Sequence, residues 1–276
     1  MTITPRSWIL IYIGLAGMLV FNILPFFWMI SSSLKSDIEV VAIPATLLPR
    51  TLTFAAYERI WSQEDFVRYY ANSFYVSASA AFIAACVGVL AAYGFSRFRF
   101  KGRTALMVLF LASQMIPGVL LVGPYLKMAA LVGLYDTHLA LILAQSTLTM
   151  PFAVWMLKGY TDTVPLELDQ AARIDGASHI QILFLCILPN IWPGLVATTI
   201  FSFLLAWGDL LWALCLISSQ NLQTMTLGVT QLIGQFRVQW SDIMAAATIG
   251  SAIPAVLYVI LQRYLVQGFT ESAVKD

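Results

Sequence analysis

Residues 72–103 read NSFYVSASAAFIAACVGVLAAYGFSRFRFKGR, and this stretch decides the fold. From Asn72 to Ser96 no side chain is charged. A helix crosses the hydrocarbon core of a bilayer with about 20 mostly apolar residues, so 72–96 is long enough to span. The run ends in Arg97-Phe98-Arg99-Phe100-Lys101-Gly102-Arg103, four cations with no acid among them. Lysine and arginine in a short loop stay on the cytoplasmic side of a membrane. One stretch thus supplies a span and its direction.

Working outward, the same reading finds five more spans, at roughly 8–31, 104–126, 135–157, 186–207 and 244–265. The one at 135–157 is the weakest, interrupted by Asp136, His138, Gln145 and Pro151. The N-terminal run from Ser7 to Ile30 exceeds the roughly 7–15 residues of a secretory signal core and reads as a retained helix. Composition agrees, with 60% hydrophobic and 11% charged residues. Soluble domains carry about a quarter charged residues. The expected fold class is therefore an all-α integral membrane protein with six transmembrane helices, a single domain over residues 1–276.

Six spans place both termini with the 97–103 loop in the cytoplasm, consistent with Arg6, Arg263 and Lys275. The 32–71 loop falls outside; its four basic and five acidic residues show no positive excess. Within it, 53–71 mixes aromatic and charged residues and is expected to form a short amphipathic helix at the outer interface. The polar segment 218–241 is too short of apolar residues to span.

Several function classes drop out. A net charge of +1 argues against nucleic acid as a partner, and Cys86, Cys186 and Cys215 have no metal-type or disulfide spacing. No carboxylate pair, metal cluster or nucleophile with a base can be assembled into a membrane enzyme. An ion-coupled carrier needs ionisable groups at mid-membrane depth. Asp136, His138 and Asp209 all flank spans, so the energy for any transport comes from elsewhere.

Span three carries Gln114-Met115-Ile116-Pro117-Gly118 near its middle, and Pro151 and Pro254 interrupt spans four and six. Proline deletes a helical hydrogen bond and kinks the helix. Unpaired backbone at membrane depth survives buried in protein or beside a cavity. Two readings stand: Gln114, Pro117, Gln145 and Pro151 line a substrate pathway, or the prolines are ordinary bends satisfied by neighbouring helices. Trp155, Trp207 and Trp212 are similarly either platforms on which a cargo stacks or interfacial and packing residues.

Between spans four and five, residues 158–187 hold the chain's most informative segment. Pro165 suits a first helical turn, Glu167 and Asp169 the positive end of its dipole, and Gly176 a left-handed terminator. Ser178 and Gln181 have the spacing of a capping box. The expectation is a helix, a glycine turn and a second helix stopping near Pro189. Ala171, Ala172, Gly176 and Ala177 are small enough for another protein to approach closely; a hairpin lying on the inner leaflet is the alternative.

The order Gln170-Ala171-Ala172, Gly176, nine residues, then Cys186-Ile187-Leu188-Pro189 resembles the EAA loop of ABC-importer permeases, E-A-A, three residues, G, nine residues, I-x-L-P. Gln170 stands for the usual Glu and Cys186 for the usual Ile. The resemblance runs from Asn72 to the C-terminus, and includes Asn72-Ser73, Tyr93 to Gly102, Gln114 to Pro117 and Gln262 to Thr270. These are similar to the carbohydrate subgroup, such as the smaller membrane subunit of maltose-type importers.

The resemblance implies a type I importer permease of the bacterial inner membrane, importing a sugar or polyol. A glycerophosphodiester or sugar phosphate is the alternative cargo, and a self-contained carrier the alternative class. It implies a second, related permease as heterodimer partner, two ATPase subunits that bind ATP and Mg, and an extracytoplasmic solute-binding protein. The chain itself shows no phosphate-loop motif. The coupling residues carried over are Gln170, Ala171, Ala172, Asp175, Gly176, Ala177 and Pro189. The Val266–Asp276 tail is expected near the ATPases and the 218–241 loop near the binding protein.

Overall fold

The computed structural model describes residues 5–62, 64–233 and 238–273, with side chains at residue 8, at 11–62 and from 65 to 264 of these. The Arg6 and Lys275 side chains and those of the Val266–Asp276 tail lie outside the described residues. The elements, in order, are α1 (Pro5–Ser33), α2 (Asp37–Val40), α3 (Ala55–Ser62), α4 (Glu64–Arg97), α5 (Arg103–Ser113), α6 (Gly118–Leu131) and α7 (His138–Thr163). There follow α8 (Leu166–Ile174), α9 (His179–Gln181), a π-helical turn (Ile182–Ile187), α10 (Leu188–Asn190), α11 (Trp192–Trp207), α12 (Leu211–Leu216), α13 (Met225–Gln231) and α14 (Trp240–Ala273). Among the described residues the only β pairing is one bridge between Ile233 and Val238.

Among the described residues four helices are long and apolar enough to cross a membrane, within α1, α4, α7 and α14, and the number reaches six if each of two bent pairs forms one span. Span three is more than kinked. Its halves α5 and α6 meet at 97°, because Pro117 brings no N–H and the preceding residues tighten instead. The Gln114, Met115 and Ile116 amides donate to the carbonyls three residues back, at 3.1, 3.0 and 3.3 Å. Span five also differs from the 186–207 expectation. An 81° bend at Ile191 divides it between residues 179–190, which continue from the hairpin, and α11. Pro151 and Pro254, expected to interrupt their spans, sit inside continuous helices.

The chain forms two compact units. One comprises residues 1–67 and 228–252. In it residues 11–27 of α1 are all exposed. Arg59 of α3 grips the buried Asp242 with Nε at 3.0 and 3.2 Å and reaches Asp37 at 3.0 Å. The amphipathic helix expected over 53–71 is shorter: α3 closes at Ser62, and residues from Glu64 onward belong to α4.

The other unit comprises 68–227 and 253–276. One core packs Val76 and Ala80 against Leu141, Ala144, Trp212 and Leu216. A second gathers Val89 and Tyr93 around Leu157, Val164, Ile182 and Ile187. Between them Gly88 brings α4 so near α7 that a Cβ would meet Leu157 at 3.0 Å and Ala153 at 3.2 Å. Asn72 and Ser73 hold the 221–225 segment: Asn72 Nδ2 donates to Asn221 O at 3.0 Å and Gln223 O at 2.8 Å, and Ser73 Oγ accepts from Met225 N–H at 2.7 Å.

Candidate functional site

The hairpin between α7 and α11 is built from local rules. Thr163 ends α7, and Pro165 stands at the cap position of α8, one residue before the first helical turn. Glu167 and Asp169 fall in that turn. At the other end Gly176 takes a left-handed conformation, φ 82°. The Gly176 amide then donates to Arg173 O at 3.0 Å and the Ala177 amide to Ala172 O at 2.9 Å. This doubled return satisfies carbonyls that a helix end otherwise leaves open. Ser178 opens the second helix with a complete capping box: Gln181 N–H donates to Ser178 Oγ at 3.3 Å, and Ser178 N–H to Gln181 Oε1 at 2.8 Å.

The second helix carries a π-helical turn over Ile182–Ile187 and continues through Pro189 to Asn190. The wider turn presents Ile182, Leu183 and Ile187 together to the core that includes Val89, Tyr93 and Leu157. Of the four small residues, Ala171 and Gly176 are exposed, while Ala172 and Ala177 pack onto that core. Gln170, Asp175 and Pro189 are exposed. At the tip Ile174 is 87% and Ile180 is 70% exposed. These two bare isoleucines beside the glycine turn leave apolar surface that water does not favour.

One residue of the site, Arg97, is not evident from the local pattern. Asp169 faces inward, and its Oδ2 accepts from Arg97 Nε at 3.1 Å, with both side chains more than nine-tenths buried. Arg97 Nη2 also donates to Val164 O at 2.9 Å and Nη1 to Ser96 Oγ at 3.2 Å. Nearby, Ser96 Oγ donates to Asp162 at 2.6 Å, and Lys158 pairs with the same carboxylate. The available signal is Asp169 itself, a carboxylate three residues before inward-facing Ala172, on the side of α8 where a charge needs a partner.

The pathway residues separate. Gln145 and Pro151 are buried in α7, whereas Gln114 is exposed. Gln145 Nε2 lies 3.4 Å from both Ala206 O and Asp209 Oδ2. Gln114 Nε2 donates to Leu148 O at 2.7 Å, one turn before Pro151, and Pro117 caps α6. Asp209 accepts from the Trp212 and Ala213 amides at 3.2 and 3.3 Å and so caps α12. Trp207 and Trp212 are buried against other rings, and Trp155 is half exposed. Among the described residues no three His, Cys, Asp or Glu side chains gather to hold a metal.

A family model described as "Binding-protein-dependent transport system inner membrane component" matches residues 84–271. The chain is 36% identical over 266 residues to the Inner membrane ABC transporter permease protein YcjP of Escherichia coli (strain K12), covering 96% of this chain and 95% of that one. It is 33% identical over 271 residues to the Trehalose/maltose transport system permease protein MalG of Thermococcus litoralis, covering 97% and 96%. In fold it is similar to a chain of a bacterial ABC transporter involved in the import of the acidic polysaccharide alginate. The TM-score there is 0.83 at 20% identity, over 96% of this chain and 98% of that one.

Proposed function

The chain belongs to the family of binding-protein-dependent transport system inner membrane components, and from that premise we propose that it imports a sugar or related polyol as the permease subunit of an ATP-driven ABC importer. The chain is a transport subunit and not an enzyme. The trehalose and maltose named for its relative support a carbohydrate cargo. The observation that carries the coupling role is the tip of the 166–190 hairpin, with Ile174 and Ile180 bare on a doubly capped, tightly packed base.

In this reading the chain acts as one permease domain over 1–276, with both termini and the hairpin in the cytoplasm. Two ATPase subunits bind ATP and magnesium and grip the hairpin through Gln170, Ala171, Asp175 and Gly176. Ala172, Ala177 and Pro189 shape the hairpin from within and behind. A second, related permease completes the pathway and, with lipid, covers apolar surface such as residues 11–27. An extracytoplasmic binding protein delivers the solute. Gln114 and the broken backbone around Pro117 supply polar groups to the pathway, while Gln145 and Pro151 shape α7 behind it.

The test is reconstitution of the chain with its partner permease, ATPases and binding protein in vesicles. Binding-protein-dependent, ATP-driven uptake of a labelled disaccharide supports the proposal. Uptake of a sugar phosphate or glycerophosphodiester instead would replace the cargo. Uptake by this chain alone, or ATP hydrolysis by it without partners, would overturn the subunit role.

A further inference from the structure

We infer that Arg97 is the positioning residue that locks the hairpin in register with the end of α4, so that displacement of the hairpin moves α4 directly. This rests on the coupling role proposed above. Covalently the hairpin continues into α7 through Val164 and into α11 through Ile191; the chain makes no such link to α4. A single guanidinium supplies one. It joins the last turn of α4 (Ser96), the carbonyl of the residue that caps α7 (Val164) and the first turn of α8 (Asp169), at 3.2, 2.9 and 3.1 Å.

The second half of the hairpin meets the same end of α4, where the Phe98 and His179 rings lie 5.2 Å apart. Apolar packing between α4 and the π-helical turn already holds the parts together, but it is non-directional and tolerates sliding. Hydrogen bonds from a planar fork do not. The pair is also poorly suited to adding stability, because among the described residues Asp169 Oδ1 is buried without a hydrogen-bond partner. A buried ion pair with an unsatisfied oxygen contributes little net stability, and what it offers is a unique arrangement.

The experiment uses the reconstituted importer with Arg97→Gln and, separately, the near-isosteric Asp169→Asn. Three quantities are read: co-purification of the ATPases, solute moved per ATP hydrolysed, and the ATP-dependent change in distance between spin labels at Arg99 and the exposed Glu167. In the parent chain that distance should stay constant through the cycle. The variants should keep the ATPases and hydrolyse ATP, yet move about tenfold less solute per ATP, the size of a typical lost coupling free energy. Their label distance should change on ATP addition.

Unchanged solute per ATP, or a label distance as constant as in the parent, overturns the inference. Failure of both variants to assemble also overturns it, since the pair is then a folding element alone. Failure of the parent chain to bind ATPases is a different result and strikes the proposed function instead.

Discussion

Gly194 lies flat against the ring of Tyr160, so that a Cβ in place of its hydrogen would stand 2.3 Å from Cγ and Cδ2. This approach sets how closely α11 packs on α7. Gly194→Ala forces the ring or a helix aside, at a cost of about 1–3 kcal/mol typical of overpacking. Thermal unfolding in detergent should show a lower midpoint. Adding Tyr160→Ala removes the clash, so the double variant should be less destabilised than the sum of the singles.

At Gly176 the cost is of another kind. Among the described residues nothing lies within 4 Å of a Cβ there, but φ is 82°. Gly176→Val therefore has space and lacks only the backbone conformation, worth about 1–2 kcal/mol for a left-handed residue. Uptake should be abolished while membrane insertion stays intact. Gly176→Asn, which tolerates that conformation better, should retain more uptake than Gly176→Val.

Gln170 is exposed on α8, beyond the buried Asp169. Gln170→Glu restores the residue usual in the motif and adds a charge to the exposed face of α8. ATPase co-purification should be equal or greater, and uptake preserved. A weaker pull-down would contradict the assignment of this face to the ATPases.

Asp136 gives a pH signature. Its carboxylate accepts from the Ser219 hydroxyl, from Ser219 N–H at 2.9 Å and from Ser218 N–H at 2.8 Å. These bonds, the hydroxyl's first, hold its pKa below the ordinary aspartate value. A depressed carboxylate stabilises fully above its unfolded pKa of about 3.9, and that contribution is lost as pH falls through the lower folded value. The hydrogen-exchange protection factors of the Ser218 and Ser219 amides should be constant near neutrality and fall only as pH drops below the ordinary aspartate pKa of about 3.9. Asp136→Asn should remove the acid-dependent part.

What the sequence reveals of the hairpin follows from the range of its bonds. The glycine turn and capping box close within a few residues, between Ala172 and Gln181, so their signals are contiguous and readable. The apolar spans are legible for the same reason, since apolarity is written along each one, while the breaks of 97° and 81° within two of them are not. The Arg97–Asp169 pair joins positions 72 residues apart, and nothing local distinguishes Arg97 from its three cationic neighbours. The π-helical turn is equally hidden, because Ile182–Ile187 reads as any apolar helix and its winding reflects the packing of Ile182, Leu183 and Ile187 into the core. Proline misleads in both directions. Pro117 turns a span by 97°, whereas Pro151, with its helix packed on both sides, leaves α7 unbroken.

The sequence distance between Arg97 and Asp169 also has a consequence for biogenesis. A chain made from its N-terminus presents the complete basic cluster to the insertion machinery before any of the hairpin has been synthesised. All its cations are then available to fix orientation. One of them is withdrawn from solvent only when the newborn fourth helix and its sequel arrive, so a single arginine serves first as an address label and later as a fastener.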